Sequence, residues 1–230
     1  MHRSPQSPHF VAAMIFGFLV LASSVYAINE KTLDRRSLKL FETLNDIQTE
    51  ANSRIPASVL KQAKGVIIMK QYEAGLVFGG KGGYGLAMTR GKDGKWGPPA
   101  WIKTGEGSWG LQVGVQKLNV VVLLMNDNVL NLLYNPKFRL GVDAGATAGP
   151  VGRNIEAKIG NDTPILIYTN TTGLYAGAAL EAGFLIPAKK ANALTYGDEY
   201  SIPQIISGRV VPMPEFGPPI VDKLQSIERE

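Results

Sequence analysis

Between Gly65 and Ile186 the chain is a succession of short β-forming runs broken by glycine. Val66–Met69, Gly75–Gly80, Tyr84–Arg90, Ala100–Thr104, Trp109–Gln116 and Val120–Met125 come first; Phe138–Ala148, Asn154–Ile159, Pro164–Asn170 and Leu174–Ile186 follow. That is about ten strands by period-two alternation. A parallel α/β sheet needs crossover helices between its strands, and this spacing leaves little room for them. Many runs carry Gly or Ala at alternate positions, as in AGATAG and AGAALEAG. Glycine within a strand marks a tight bend or a close backbone approach. The pattern therefore predicts an α+β protein with a strongly curled, mostly antiparallel β-sheet or barrel-like core. Lys92-Asp93-Gly94-Lys95 reads as a hairpin turn, because Asp-Gly supplies the positive φ that tight hairpins require.

The block Gly105–Gly152 holds the most apolar stretch after the leader, VVVLLM at Val120–Met125. So continuous a run predicts a central strand covered on both faces. Asn126 or Asp127 then caps a short helix bearing Val129, Leu130, Leu132 and Leu133, since either side chain can accept from a free helix N–H. One helix is thus inserted after the central strand. N-terminal helices fill 31–64. In the first, Leu33, Leu40, Phe41, Leu44, Ile47 and Ala51 share one face. The second, within SRIPASVLKQAKG, starts near Pro56 and stops at Gly65. The β-rich core spans 65–186. The tail 187–230 is extended and proline-rich, with short helical turns at Ala188–Leu194, Ile202–Ser207 and Ile220–Ile227.

Residues 1–27 read as a signal peptide. Arg3 precedes the apolar run 10–22, and Val25 and Ala27 offer small residues before a cut after Ala27. The run is short for a spanning helix, and an uncleaved anchor is the alternative. An exported protein, periplasmic or secreted and peripherally membrane-associated, is expected, with 28–230 as one domain. That span has 23 basic against 19 acidic residues, a net charge of +4. The balance is too mild to imply nucleic acid. There is no cysteine, so stability must come from packing. Both histidines, His2 and His9, fall in the leader. Without His or Cys beyond it, Ser-His-Asp and Cys-His catalysis, haem ligation by His and ordinary zinc sites are excluded. No cofactor and no enzymatic activity are expected.

The glycine motif Gly80-Lys81-Gly82-Gly83-Tyr84-Gly85 matches G-x-G-x-x-G, but a dinucleotide loop must open a helix, and this one runs into the strand-like LAMTR. Gly75–Lys81 nearly matches a P-loop, yet Gly82 stands where Ser or Thr must hold magnesium. Trp96, Trp101 and Trp109 suit either a core or a membrane interface, the core being favoured. Asp127 reads as a cap and Asp143 as structural.

Basic side chains concentrate near the N-terminal helices. Arg35, Arg36 and Lys39 lie off the apolar face of the first; from Asn52 to Lys70 there are Arg54, Lys61, Lys64 and Lys70 and no acid. A solvated face is the plain reading, and contact with anionic lipid the sharper one.

The residues AKGVIIM, GYGLAMTR, WGPPAWI, GSWGLQVGVQ, VVVLLMND, KFRLG and DAGATAGPVGR together resemble the SYLF domain family, over roughly residues 40–200 and most specifically over 105–153. That resemblance implies a compact β-rich domain with N-terminal helices that binds phospholipids, phosphoinositides in eukaryotic members, and uses a basic amphipathic N-terminal helix against membranes. Here 31–51 is amphipathic but nearly neutral. Actin, a partner of eukaryotic members, is not expected for an exported chain. The expectation is a non-catalytic phospholipid-binding module at an anionic membrane surface, with Arg35, Arg36, Lys39, Arg54, Lys61 and Lys64 as lipid-binding residues. The alternative is a soluble periplasmic carrier or scaffold with an apolar ligand in its β-rich core. A transmembrane β-barrel is disfavoured by the helical N-terminus and the non-alternating VVVLLM.

Overall fold

The computed structural model describes residues 28–75, 78–109, 114–134, 137–139, 146–150, 163–170, 184–207 and 211–230. The signal peptide expected at 1–27, the strand expected at Asn154–Ile159 and Asp143 lie outside them. Two helices open the described chain, α1 (Glu30–Thr49) and α2 (Ala57–Gln62). Four strands follow, β1 (Gly65–Gly75), β2 (Phe78–Thr89), β3 (Ala100–Trp109) and β4 (Gly114–Leu124). Then come α3 (Asp127–Leu132) and the short strands β5 (Phe138–Arg139), β6 (Ala146–Ala148), β7 (Ile165–Thr169) and β8 (Phe184–Pro187). Three helices close the chain, α4 (Lys189–Tyr196), α5 (Ile202–Ile206) and α6 (Gly217–Arg229).

The strands form one sheet in the order β5-β8-β3-β2-β1-β4-β7-β6. All described pairings are antiparallel except β6 with β7. The α+β class and the mostly antiparallel sheet agree with the sequence reading. The barrel-like, strongly curled core does not: the sheet is open, and β5 and β6 terminate it at opposite edges. Within β2, Gly83 and Gly85 serve close approach, while Ala144 and Gly145 of AGATAG and all of AGAALEAG lie outside the described residues. An added Cβ at Gly85 would stand 2.6 Å from the Ile68 carbonyl oxygen, and one at Gly83 2.7 Å from Thr104 Oγ1. The runs read as Val66–Met69, Gly75–Gly80 and Tyr84–Arg90 are two long hairpin arms, β1 and β2, in register from Gly65↔Thr89 to Gly75↔Gly79. Trp109–Gln116, read as one strand, spans the end of β3 and the start of β4.

Strand alternation gives the sheet two buried faces. Val66 and Ile68 of β1, Leu86 and Met88 of β2, Trp101 of β3 and Val121 and Leu123 of β4 pack on the first face. Leu40, Leu44 and Ile47 of α1, Val59 and Leu60 of α2 and Ile220, Leu224 and Ile227 of α6 cover them. Ile67 and Met69, Ile102, and Val120, Val122 and Leu124 point the other way, under Val129 and Leu133 and under Ile202, Ile205 and Ile206 of α5. The VVVLL segment is therefore covered on both sides, which explains why it does not alternate with polar residues.

Asn126, not Asp127, caps α3, its Oδ1 accepting from Val129 N at 3.0 Å. Helix α6 runs longer than expected because Pro218 and Pro219 fall in its first turn, where a missing N–H costs nothing. Trp96 and Trp101 are core residues. Beyond the last β3–β8 pair, the Asn192 side chain completes the ladder: its Oδ1 accepts from Trp101 N at 2.7 Å and its Nδ2 donates to Trp101 O at 2.9 Å. This anchors α4 to β3.

Candidate functional site

The apolar character of the first face ends partway along the strands. In the same alternation phase, Ile68 is followed by Lys70 and Tyr72, Leu86 is preceded by Tyr84, and Trp101 is followed by Lys103. In β4, Lys117 and Asn119 precede Val121. The register sets Lys103, Tyr84, Lys70 and Asn119 side by side across four strands, and Asn170, just past β7, accepts from Asn119 N at 3.3 Å. One step further, Tyr72 lies opposite Lys117. Adjacent strands are about 4.8 Å apart, so Lys103 and Lys70 sit about 10 Å apart in backbone terms, and Lys70 and Lys117 are diagonal neighbours.

Helix α1 lies across this belt. The Arg36 guanidinium sits 4.6 Å from the centroid of the Tyr84 ring, a cation–π contact. Further along the helix, Thr43 Oγ1 donates to Asn119 Oδ1 at 3.2 Å. Asn119 Nδ2 donates to Asp46 at 2.9 Å, and Lys70 Nζ donates to Asn119 Oδ1 at 2.8 Å. Asn119 thus orients Lys70 with a neutral acceptor, which leaves the ammonium charge uncompensated by that bond. The Tyr72 and Tyr84 rings are neighbours, their centroids 6.4 Å apart. Burial, then the adjacent Tyr72, pushes the Tyr84 hydroxyl well above the ordinary phenol range, so it stays protonated beside Arg36.

Of the six cations singled out from sequence, Arg35 and Arg36 stand at this belt and both act on Tyr84, and Lys39 is carried by the same helix. Arg54, Lys61 and Lys64 do not join them. Lys64 precedes β1 by one residue and lies about 20 Å of extended chain from Lys70. Arg54 is already engaged, donating to Glu230. All three are exposed at the far end of the sheet. Lys103 and Lys117, both exposed, and the half-buried Lys70 are belt cations that the helix-centred reading passed over. Their signal was a lysine in the inward phase of an otherwise apolar strand.

The exposed surface of α1 adds an apolar element. Leu38, 63% exposed, is the most exposed large hydrophobic side chain among the described residues, three positions after Arg35 and next to Lys39. Asp34 and Glu42 share that outer surface, so the helix itself is nearly neutral while the belt beneath it is basic. Among the described residues no cluster of His, Cys, Asp or Glu could hold a metal ion, and no helix is long and apolar enough to cross a membrane.

An open, doubly covered, mostly antiparallel sheet with a basic and aromatic belt under its first helix places the chain in the α+β class. Residues 105–227 match the Ysc84 family model, described as Las17-binding protein actin regulator, and the chain belongs to this SYLF-domain family. It is similar to an SH3 domain-containing protein of Schizosaccharomyces pombe, at 34% identity over 76% of this chain and 42% of that protein. It is also similar to LAS seventeen-binding protein 3 of Saccharomyces cerevisiae (strain ATCC 204508 / S288c), at 35% identity over 73% and 38%. The human SH3 domain-containing YSC84-like protein 1 is 28% identical over 78% of this chain and 54% of its own. The chain thus spans about half or less of the length of these relatives. No solved structure matches it.

Proposed function

We propose that this chain is an exported, non-catalytic module that binds anionic phospholipid surfaces through the belt and α1. The observation that carries this reading is the row of Lys70, Lys103 and Lys117 on the sheet face that α1 crosses, with Arg35 and Arg36 of that helix beside Tyr84 and Lys39 on the same helix. Each basic side chain near an anionic membrane contributes about 1 kcal/mol, so a cluster of this size binds where a single residue would not. Leu38 supplies apolar insertion beside them. Arg54, Lys61 and Lys64 form a separate basic patch and take part only if the domain lies flat enough to touch lipid at both ends. Localisation in the periplasm or outside the cell, peripheral to a membrane, follows from the leader-like 1–27, with an uncleaved anchor as the alternative.

Flotation of residues 28–230 with vesicles containing phosphatidylglycerol, against pure phosphatidylcholine vesicles, tests the reading. Binding to the first alone is expected, and equal absence from both would overturn it. The relatives' names favour a second reading, a protein-binding role in actin regulation. Co-sedimentation with actin filaments in the absence of lipid would favour that role over the first.

A further inference from the structure

Beside the second core cluster, a cleft of about 860 Å³ opens between the end of α3, α4 and the start of α5. Its volume is that of a small-molecule site. The buried Leu133 and Ile202, which belong to the second core face, line it. Tyr134 and Leu194, 46% and 40% exposed, line it too. Only four large hydrophobic side chains are exposed among the described residues, and this one cleft collects two of them. Apolar surface gathered in a concavity marks a ligand site more than solitary exposed side chains do.

The charges around the cleft are arranged against the structure's own interest. Lys189 and Lys190 occupy the first turn of α4, while Asp198 and Glu199 follow its last turn, and all four line the cleft. Cations at a helix N-terminus and anions at its C-terminus both oppose the macrodipole. No ion pair engages any of the four with another described residue. The N-cap, Ala188, brings no side-chain bond to the first-turn N–H groups either. A structural role would have placed these charges the other way round or paired them.

We infer that this cleft binds a zwitterionic amphiphile: the apolar wall takes a hydrocarbon chain, Lys189 and Lys190 a phosphate, and Asp198 and Glu199 an ammonium group. A ligand that is only anionic would leave two carboxylates facing it unpartnered, and an uncharged one would meet none of the four charges. The cleft is separate from the belt, so this activity stands whether or not the belt binds membranes.

Titration of the full chain with lysophosphatidylethanolamine below its micellar concentration, read by native mass spectrometry and calorimetry, tests the assignment. One-to-one binding is expected, at least ten-fold tighter than lysophosphatidylglycerol or laurate. Lys189→Gln with Lys190→Gln, and separately Asp198→Asn with Glu199→Gln, should each weaken it ten-fold or more. Leu194→Glu, at an exposed position that folding tolerates, should abolish it. Lys103→Gln with Lys117→Gln should leave it unchanged while weakening vesicle binding, which separates failure of one site from failure of the other. No binding of lysophosphatidylethanolamine, equal binding of the three amphiphiles, or indifference to Leu194→Glu overturns the inference.

Discussion

Two neighbouring glycines in β2 show how differently one residue type can be used. An added Cβ at Gly83 would stand 2.7 Å from Thr104 Oγ1 and 3.1 Å from the Gln71 Cα, whereas one at Gly82 meets nothing within 4 Å. Gly83→Ala should therefore push three strands apart and cost about 1–3 kcal/mol, as overpacking does. Gly82→Ala should be neutral or gain up to about 1 kcal/mol through a less flexible unfolded chain. Urea unfolding of the two variants checks the contrast, and equal effects would refute it. The motif as a string could not distinguish the two positions. Their difference depends on which strand lies alongside and on which face the missing side chain would point. For the same reason the sequence could not tell that Gly83 and Gly85 answer to close contact and not to a bend. Asn126 and Asp127 present a similar case: both can accept a helix N–H, and only the backbone at the helix start selects Asn126. Asn126→Ala should cost about 1 kcal/mol, the typical loss of a helix cap, and Asp127→Ala clearly less.

At the scale of elements, α6 clasps the N-terminal helices to the sheet. Its Leu224 is fully buried, and Leu224→Ala should cost about 2–5 kcal/mol by thermal or denaturant unfolding. Its last turn holds two arginines. Glu228 accepts from Arg90 and, at 3.2 Å, from Trp96 Nε1, while the Arg90 guanidinium lies 4.1 Å from the Trp96 ring centroid. Glu230 accepts from Arg54 and, at 3.0 Å, from Gln48 Nε2. The hydrogen bond from Arg54 holds the Glu230 carboxyl below its ordinary range, partly opposed by burial. A folded-state value below the unfolded one means that this stabilisation is complete above the ordinary carboxylate range. It is lost as pH falls through that range and below. Glu230→Gln should thus lower stability at neutral pH and flatten its decline below about pH 5. An unchanged acid limb would show that the contact contributes nothing. The helices themselves were legible because the 3.6-residue spacing of Leu33, Leu40, Leu44 and Ile47 survives without any tertiary information. The long hairpin was less so, since glycines at 79, 80, 82 and 83 look like breaks between strands when they are the strand.

At the scale of the whole molecule, two separate surfaces stand out: the belt under α1, and the cleft between α3, α4 and α5. A sequence read in segments finds cations on a helix readily, because they are close together in the chain. Lys70, Lys103 and Lys117 come from three strands and converge only through the β3-β2-β1-β4 order. The length of β1, not the strand order, separates Lys64 from them, since six extended residues span about 20 Å, and Arg54 and Lys61 lie on the same side of that stretch.

That separation is what one comparison measures most directly: co-sedimentation of Lys70→Gln/Lys103→Gln/Lys117→Gln and of Arg54→Gln/Lys61→Gln/Lys64→Gln with phosphatidylglycerol vesicles. At about 1 kcal/mol per cation, the belt triple variant should lose affinity about 100-fold or more, and the distal triple only a few-fold. Equal losses, or a larger loss from the distal triple, would contradict the belt as the membrane-binding surface.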